Sequence, residues 1–266
     1  MKDPKTYRPH DYEMMEAIEG KAVKDIGPGI RPLIDDMFHY PAEDSIVHCE
    51  LCDNYEKPDV KISIGEECHY VSLKSGRSKS VHYEGTKSFI LFLREQGVSK
   101  ESQKTLLRYF YGDGTMTGEG ETRLSAHELR KMMEPQLEAV NAELDNRKLL
   151  RACVRRFVFD GTEKRSTKAD YIAFGNPTLY IYASRQEIED FVLRRRFGQT
   201  VVPHIGPLFF TPWVRNVHRK PSDEWKRHFV HVCWPFLLTD IEKIQQAREE
   251  EARRLSAEEE AMQTLS

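Results

Sequence analysis

The stretch Lys57-Pro-Asp-Val-Lys-Ile-Ser-Ile-Gly-Glu-Glu-Cys-His-Tyr-Val-Ser-Leu-Lys74 carries side chains able to do chemistry together. Apolar residues alternate on both sides of Gly65, which predicts a hairpin of strands over 60–64 and 68–74. A tight turn over 65–68, centred on Glu66 and Glu67, sets Asp59 against Lys74, Lys61 against Ser72 and Ser63 against Tyr70. Val60, Ile62, Ile64, Val71 and Leu73 then share one face, and Asp59, Ser72 and Lys74 the other. A carboxylate and an ammonium therefore meet at the open end of the hairpin. Taken alone this is a cross-strand ion pair worth about 0.2–1 kcal/mol. The segment that follows adds to it. A helix is expected over 81–96, capped by Ser80 and ended by Gly97, with Glu84 in its first turn, where the macrodipole favours an ionised acid. Asp59, Glu84 and the Leu73 carbonyl are hard oxygen donors that suit one Mg²⁺ or Mn²⁺. Arg77, Lys79 and His82 lie around this position with no acid among them, a landing place for a phosphodiester.

The elements that must position these groups follow from periodicity. A helix is expected over 11–24 on a stripe of Tyr12, Met15, Ile18 and Ala22, and a second, shorter one carries Ile30, Leu33, Ile34, Met37 and Phe38. The intervening Gly27-Pro28-Gly29 breaks the first. A loop is expected between the second helix and the hairpin. Helices fill much of 101–111 and 125–144, separated by the glycine-punctuated loop 111–120, which has no Lys-Ser/Thr ending and so is no P-loop. Further strands are expected over 153–159, 171–174, 179–183, 208–211 and 228–236, with one helix at 185–195 and a charged helical tail after Thr239. A mixed β-sheet flanked by helices, of α/β class, is the architecture this order predicts.

Composition narrows the function classes. The 266 residues carry 40 Lys+Arg and 43 Asp+Glu, a net charge of −3 that hides an asymmetry. Residues 147–230 hold 17 basic against 8 acidic side chains, while 1–146 hold 19 against 27. A basic, arginine-rich segment is what phosphate-backbone binding requires. Within it Arg194, Arg195, Arg196 and Arg215, with Arg219, Lys220 and Arg227, are candidates for contact with DNA. No apolar run reaches the roughly 18 residues of a membrane span. The first ten residues lack the apolar stretch of a secretory signal, and five cysteines without framework spacing fit a reducing compartment, so a cytoplasmic location is expected.

Pro58-Asp59 followed by Lys74 at the end of the next strand resembles the restriction-endonuclease-like nucleases named for their PD-(D/E)xK motif. Ser72 stands where that motif has an acid. Some members take the second carboxylate from the following helix, and Ser72-Leu-Lys74 followed by Glu84 looks like that variant. The string from Tyr70 to Glu84 also resembles a group of bacterial proteins presumed to be restriction-type nucleases. That wider likeness extends weakly to Tyr111–Thr115, Arg156–Gly161, Ala169–Ile172, Pro212–Asn216 and Trp234. Many members have a glutamate on a preceding helix, a place that Glu13 or Glu16 could fill. The resemblance implies a restriction-endonuclease-like core over 1–110, a β-rich second half over 111–239 with the DNA-recognition region, and a helical tail over 240–266. It implies Mg²⁺-dependent hydrolysis of double-stranded DNA, with Asp59 and Glu84 on the metal, Lys74 at the water and the scissile phosphate, and Ser72 orienting a water. A homodimer and a cognate DNA methyltransferase are the partners it brings.

Other readings stand beside this one. Loss of the acid at Ser72 fits a catalytically degenerate nucleic-acid-binding protein. Cys49, Cys52, Cys68 and His69 could assemble a zinc-stabilised interaction module, although adjacent strand residues 68 and 69 point to opposite faces. Cys153 and Cys233 are expected in the core. Trp213, Trp225 and Trp234 are expected as core anchors too, with stacking on bases as the alternative for the first two. Asp170 is either a third acid or a strand-start cap.

Overall fold

The structure, a computed structural model, describes residues 9–53, 57–74, 79–121, 123–162, 167–198, 200–215 and 221–264. Its strands are β1 (Lys21–Ala22), β2 (Ile46–Leu51), β3 (Val60–Ile64), β4 (Glu67–Lys74), β5 (Ser80–Gly85), β6 (Tyr171–Asn176), β7 (Leu179–Ser184), β8 (His204–Ile205), β9 (Leu208–Pro212) and β10 (Phe229–Cys233). The α-helices are α1 (Pro9–Ile18), α2 (Arg31–Met37), α3 (Thr86–Glu95), α4 (Lys100–Tyr111), α5 (Ala126–Met132), α6 (Glu134–Leu144), α7 (Arg147–Val154), α8 (Arg185–Arg194) and α9 (Leu237–Thr264). No described helix is long and apolar enough to cross a membrane. The chain forms two compact units that are discontinuous in sequence: 1–78, 159–191 and 236–266 in one, 79–158 and 192–235 in the other. The divisions expected from the sequence were contiguous.

The first unit is built on a six-stranded mixed sheet in the order β1-β2-β3-β4-β6-β7, with β4 and β6 parallel and the other neighbours antiparallel. The hairpin β3–β4 forms because Gly65, at φ +60°, opens a two-residue turn that L side chains rarely adopt. Ile64 pairs with Glu67 and Val60 with Val71. The expected register is therefore off by two residues, and Asp59 lies beside Ser72 rather than Lys74. An even shift leaves every side chain on its face. Val60, Ile62, Val71 and Leu73 are buried with Met14, Ile18, Ile34 and Val47, each apolar side chain contributing about 1.5–3 kcal/mol. The helix α1 stops at Ile18 and buries Asp11, Met14 and Ile18; of the expected stripe Ile18 is buried and Met15 packs on the core, whereas Tyr12 is exposed and Ala22 lies in β1. The strand β2 occupies what was expected as loop. Asp170 is a strand-start clamp: its side chain accepts from Tyr70 N–H at 2.9 Å, and its own N–H donates to Tyr70 O at 2.7 Å.

The second unit packs α3 and α4 on a four-stranded sheet, β5-β10-β9-β8. Phe89, Phe110, Phe157 and Phe210 form its aromatic centre, with ring centroids 4.9–6.0 Å apart. Residues 80–85, expected as the start of a helix, pair with β10 instead: Glu84 faces Val230 and His82 faces Val232. Residues 153–159 are not a strand; α7 runs into a π-helical turn over Arg155–Asp160. The loop after α4 closes on itself. Asp113 accepts from Thr115 N–H and hydroxyl, from Gly120 N–H, and from Arg227, whose guanidinium also donates to Gly118 O. Arg227 is 2% exposed, which removes it from the DNA-contact candidates. Trp234 is buried as expected, whereas Trp225 is half-exposed.

Burial opposes the charge on Asp113, but the hydrogen bonds from Thr115, Gly120 and Arg227 outweigh it and hold the carboxyl below its ordinary range. A depressed carboxyl pKa contributes stability above the unfolded value of about 3.9, lost as pH falls through the folded pKa. Asp113→Asn should destabilise the protein by about 2–4 kcal/mol near pH 7. In urea unfolding, that deficit should stay level from about pH 5 to 8 and shrink below about pH 4.

Candidate active site

The open end of β3–β4 gathers Asp59, Ser72 and Lys74. Asp59 N–H donates to Val71 O at 2.8 Å, which continues the ladder one residue past β3. Its Oδ2 accepts from Leu73 N–H at 2.7 Å and from Ser72 Oγ at 3.2 Å. Lys74 Nζ donates to Ser72 Oγ at 2.9 Å and to Leu73 O at 3.3 Å, and lies 3.9 Å from Asp59 Oδ2. Ser72 is 1% exposed and joins the acid to the base, while Asp59 and Lys74 each keep about a fifth of their side-chain surface open. The parallel pairing of Val71–Lys74 with Tyr171–Phe174 fixes this strand from its other edge. Asp59 and the Leu73 carbonyl are both hard oxygen donors, a donor set that fits Mg²⁺.

Sequence reasoning passed over Lys57. Burial pushes its ammonium down to about 7, repulsion from Lys74 adds to the shift, and Asp59 opposes it. Its place two residues before Asp59 was the available signal.

Glu84 lies in the second unit, on β5 and not in a helix turn, and is 3% exposed. Arg156 grips its carboxylate, Nε to Oε2 at 3.2 Å and NH2 to Oε1 at 2.5 Å, and Ser88 Oγ donates to Oε1 at 2.5 Å. Arg156 also stacks over the Phe92 ring at 4.7 Å. Nothing in the local sequence links residues 72 positions apart, so this partner had no signal. His82 is mostly buried, with Nε2 4.0 Å from Glu84 Oε2, whereas Lys79 is exposed. Arg77 falls outside the described residues, as do Arg219 and Lys220.

On α1, Glu13 and Glu16 are exposed, and Glu13 sits 3.3 Å from His10 Nδ1. Arg194, Arg195 and Arg196 are exposed. Arg215 turns inward, donating to Tyr109 O at 3.0 Å with its guanidinium 4.7 Å above the Tyr109 ring. Among the described residues no group of three or more His, Cys, Asp or Glu side chains is placed to hold a metal, so the proposed zinc cluster is not assembled. Cys49 is instead a core residue, its thiol pushed up to about 12 by burial.

Glu84→Ala would leave a partly buried guanidinium unpaired. It should cost about 2–3 kcal/mol in thermal unfolding, allowing for the partial exposure of Arg156, and the added replacement Arg156→Met should recover part of that loss.

No protein-family model matches this chain, and no curated protein matches it. Among solved structures, the crystal structure of restriction endonuclease MspI in complex with its cognate DNA is similar, with a TM-score of 0.46 and 11% sequence identity over 83% of this chain and 87% of that chain.

Proposed function

We propose that the protein is a Mg²⁺-dependent DNA endonuclease of the restriction type. The observation that supports it is the constellation at the end of β3–β4, where Lys74 Nζ is 3.9 Å from Asp59 Oδ2 and both are joined through Ser72. Asp59 and the Leu73 carbonyl would hold the divalent cation. When bound, such a cation lowers the pKa of a coordinated water and stabilises charge on the reacting phosphate. The chain's own residues do the rest. Lys74 offsets negative charge on the scissile phosphodiester and orients the attacking water. Ser72 positions the ammonium by accepting its hydrogen bond. Attack forms one water-oxygen-to-phosphorus bond as a phosphorus–oxygen bond of the backbone breaks; the attacking water gives up a proton to solvent, and the departing oxygen takes one from solvent to leave as a hydroxyl.

The basic segment supplies the duplex contacts in this reading. Arg194, Arg195 and Arg196, all exposed, would lie against the phosphate backbone. Cutting both strands in one binding event usually takes two such centres, which a homodimer would provide. In a restriction system the natural partner is a DNA methyltransferase of matching specificity.

The test is digestion of unmethylated plasmid and phage DNA by the purified full chain with Mg²⁺ or with EDTA. Nicked and linear products only with Mg²⁺ are expected. Lys74→Ala and Asp59→Asn should each lower the cleavage rate by about 10²–10⁴ while circular dichroism is unchanged. Full Mg²⁺-dependent activity in either variant removes the assignment. The replacement of the motif acid by Ser72 favours one rival, a nucleic-acid-binding protein without catalysis; it would retain salt-dependent DNA binding and release no product. Reversing the charge of Arg194, Arg195 and Arg196 together should reduce the slope of log affinity against log salt by about 3.

A further inference from the structure

The second unit contains a cavity of about 460 Å³ whose lining combines arginines with apolar side chains. Its volume falls within the roughly 300–1,000 Å³ of small-molecule sites. Arg147, Arg195 and Arg196 line it, with Asp145 the one acid among the lining residues, and Arg195 Cζ lies 5.7 Å from the Phe197 ring centroid. Deeper in, Leu150, Ile205 and Phe197 make an apolar wall. Gly206, at φ +52°, turns β8 into β9 there, and a Cβ on it would come within 2.8 Å of Leu150 Cδ1. Backbone and side chain are thus packed to the limit behind the cavity.

His204 is the polar group set into this wall. It is 6% exposed, and its Nδ1 is 2.9 Å from Val202 O, which makes Nδ1 a hydrogen-bond donor. Nε2 has no protein partner among the described residues and is the ring edge left for a ligand in the cavity. The ring is stacked on Phe209 with a centroid distance of 5.6 Å. Its backbone is fixed by Asn141, a 4% exposed amide that accepts from His204 N–H at 3.1 Å and donates to Thr200 O at 2.7 Å and Val202 O at 3.2 Å. The neighbouring helix end contributes little, because Asn146 Oδ1 already accepts from the first free N–H groups of α7. The site is therefore a built pocket: cations at the mouth, an apolar slot, and one held ring nitrogen inside.

We propose that this cavity binds a single nucleotide, with its phosphate on Arg195 and Arg196, its base against Phe197 and Ile205, and His204 Nε2 accepting a hydrogen bond from the base edge. Two sources present the same chemistry: a nucleotide extruded from a DNA duplex, and a free mononucleotide. The first rests on the DNA reading of the chain and the second does not. Extrusion would expose the base to a slot that discriminates by hydrogen bonding as well as stacking.

The test uses the full chain without metal, titrated calorimetrically with the four deoxynucleoside 5′-monophosphates and with inorganic phosphate. In parallel, duplexes carrying 2-aminopurine at successive positions are followed by fluorescence. One or more nucleotides should bind at least about tenfold more tightly than phosphate, and Arg195→Glu with Arg196→Glu should weaken that binding by about tenfold or more. Both arginines are exposed, so this variant tests the pocket without threatening the core. His204→Gln, checked for folding by circular dichroism, should change the order of preference among the four bases. A 2-aminopurine signal that rises with wild type at one position, and is altered by His204→Gln at protein concentrations that saturate the duplex, identifies the extruded source; calorimetric binding without it identifies the free one. Phosphate binding as tight as nucleotide, or no binding and no fluorescence change in wild type, overturns the proposal. Plasmid cleavage separates the two conclusions: nucleotide binding without Mg²⁺-dependent cleavage sinks the endonuclease and spares the pocket, and the reverse result sinks only the pocket.

Discussion

The N–H of Leu73, donated to Asp59 Oδ2 at 2.7 Å, ties the acid ahead of one strand to the backbone of the next. Around that bond β4 serves two purposes at once. Val71 and Leu73 point into the hydrophobic core, and Ser72 and Lys74 alternate with them toward the acid. Packing of the first pair therefore sets the position of the second. The parallel neighbour β6 holds the strand from the other side, and the Asp170 clamp fixes where that pairing begins. A charged centre is positioned here by apolar burial and main-chain hydrogen bonds, both of which are rigid compared with the long side chains they orient.

The second unit relies on a different device. Buried ions are costly to desolvate and persist only with close partners. Asp113 with Arg227, and Glu84 with Arg156, each join residues far apart in sequence and pin a loop or a strand to its surroundings. These pairings also divide the arginine-rich segment. Arg156, Arg215 and Arg227 turn inward to protein acceptors, whereas Arg194, Arg195 and Arg196 face outward. Net charge along a segment consequently overstates the charge that its surface offers to a polyanion, because part of it is neutralised inside.

Particular residues separate what was legible from what was not. The faces of the hairpin were readable even though its turn was placed two residues too long, since an even slip preserves the alternation. The stripe on α1 was readable at Ile18 but not at its start: Asp11, an acid, occupies the buried row in place of Tyr12, and hydropathy alone gives it no such place. Residues 80–85 were misread altogether. Ser80-Val-His-Tyr-Glu has too few apolar residues to decide between periods of 2 and 3.6, and the partner that makes it a strand, β10, lies some 145 residues away.

The sequence by itself determined the α/β class, the hairpin and its two faces, and the nearness of Asp59, Ser72 and Lys74, because these depend on local alternation and one glycine turn. Only the tertiary structure decided that Glu84 sits on a strand beneath Arg156, that Arg227 is interior, and that His204 lines a cavity edged by arginines. Those outcomes depend on pairings between distant segments, and local propensity carries no information about which distant partner a buried charge or an unpaired strand will find.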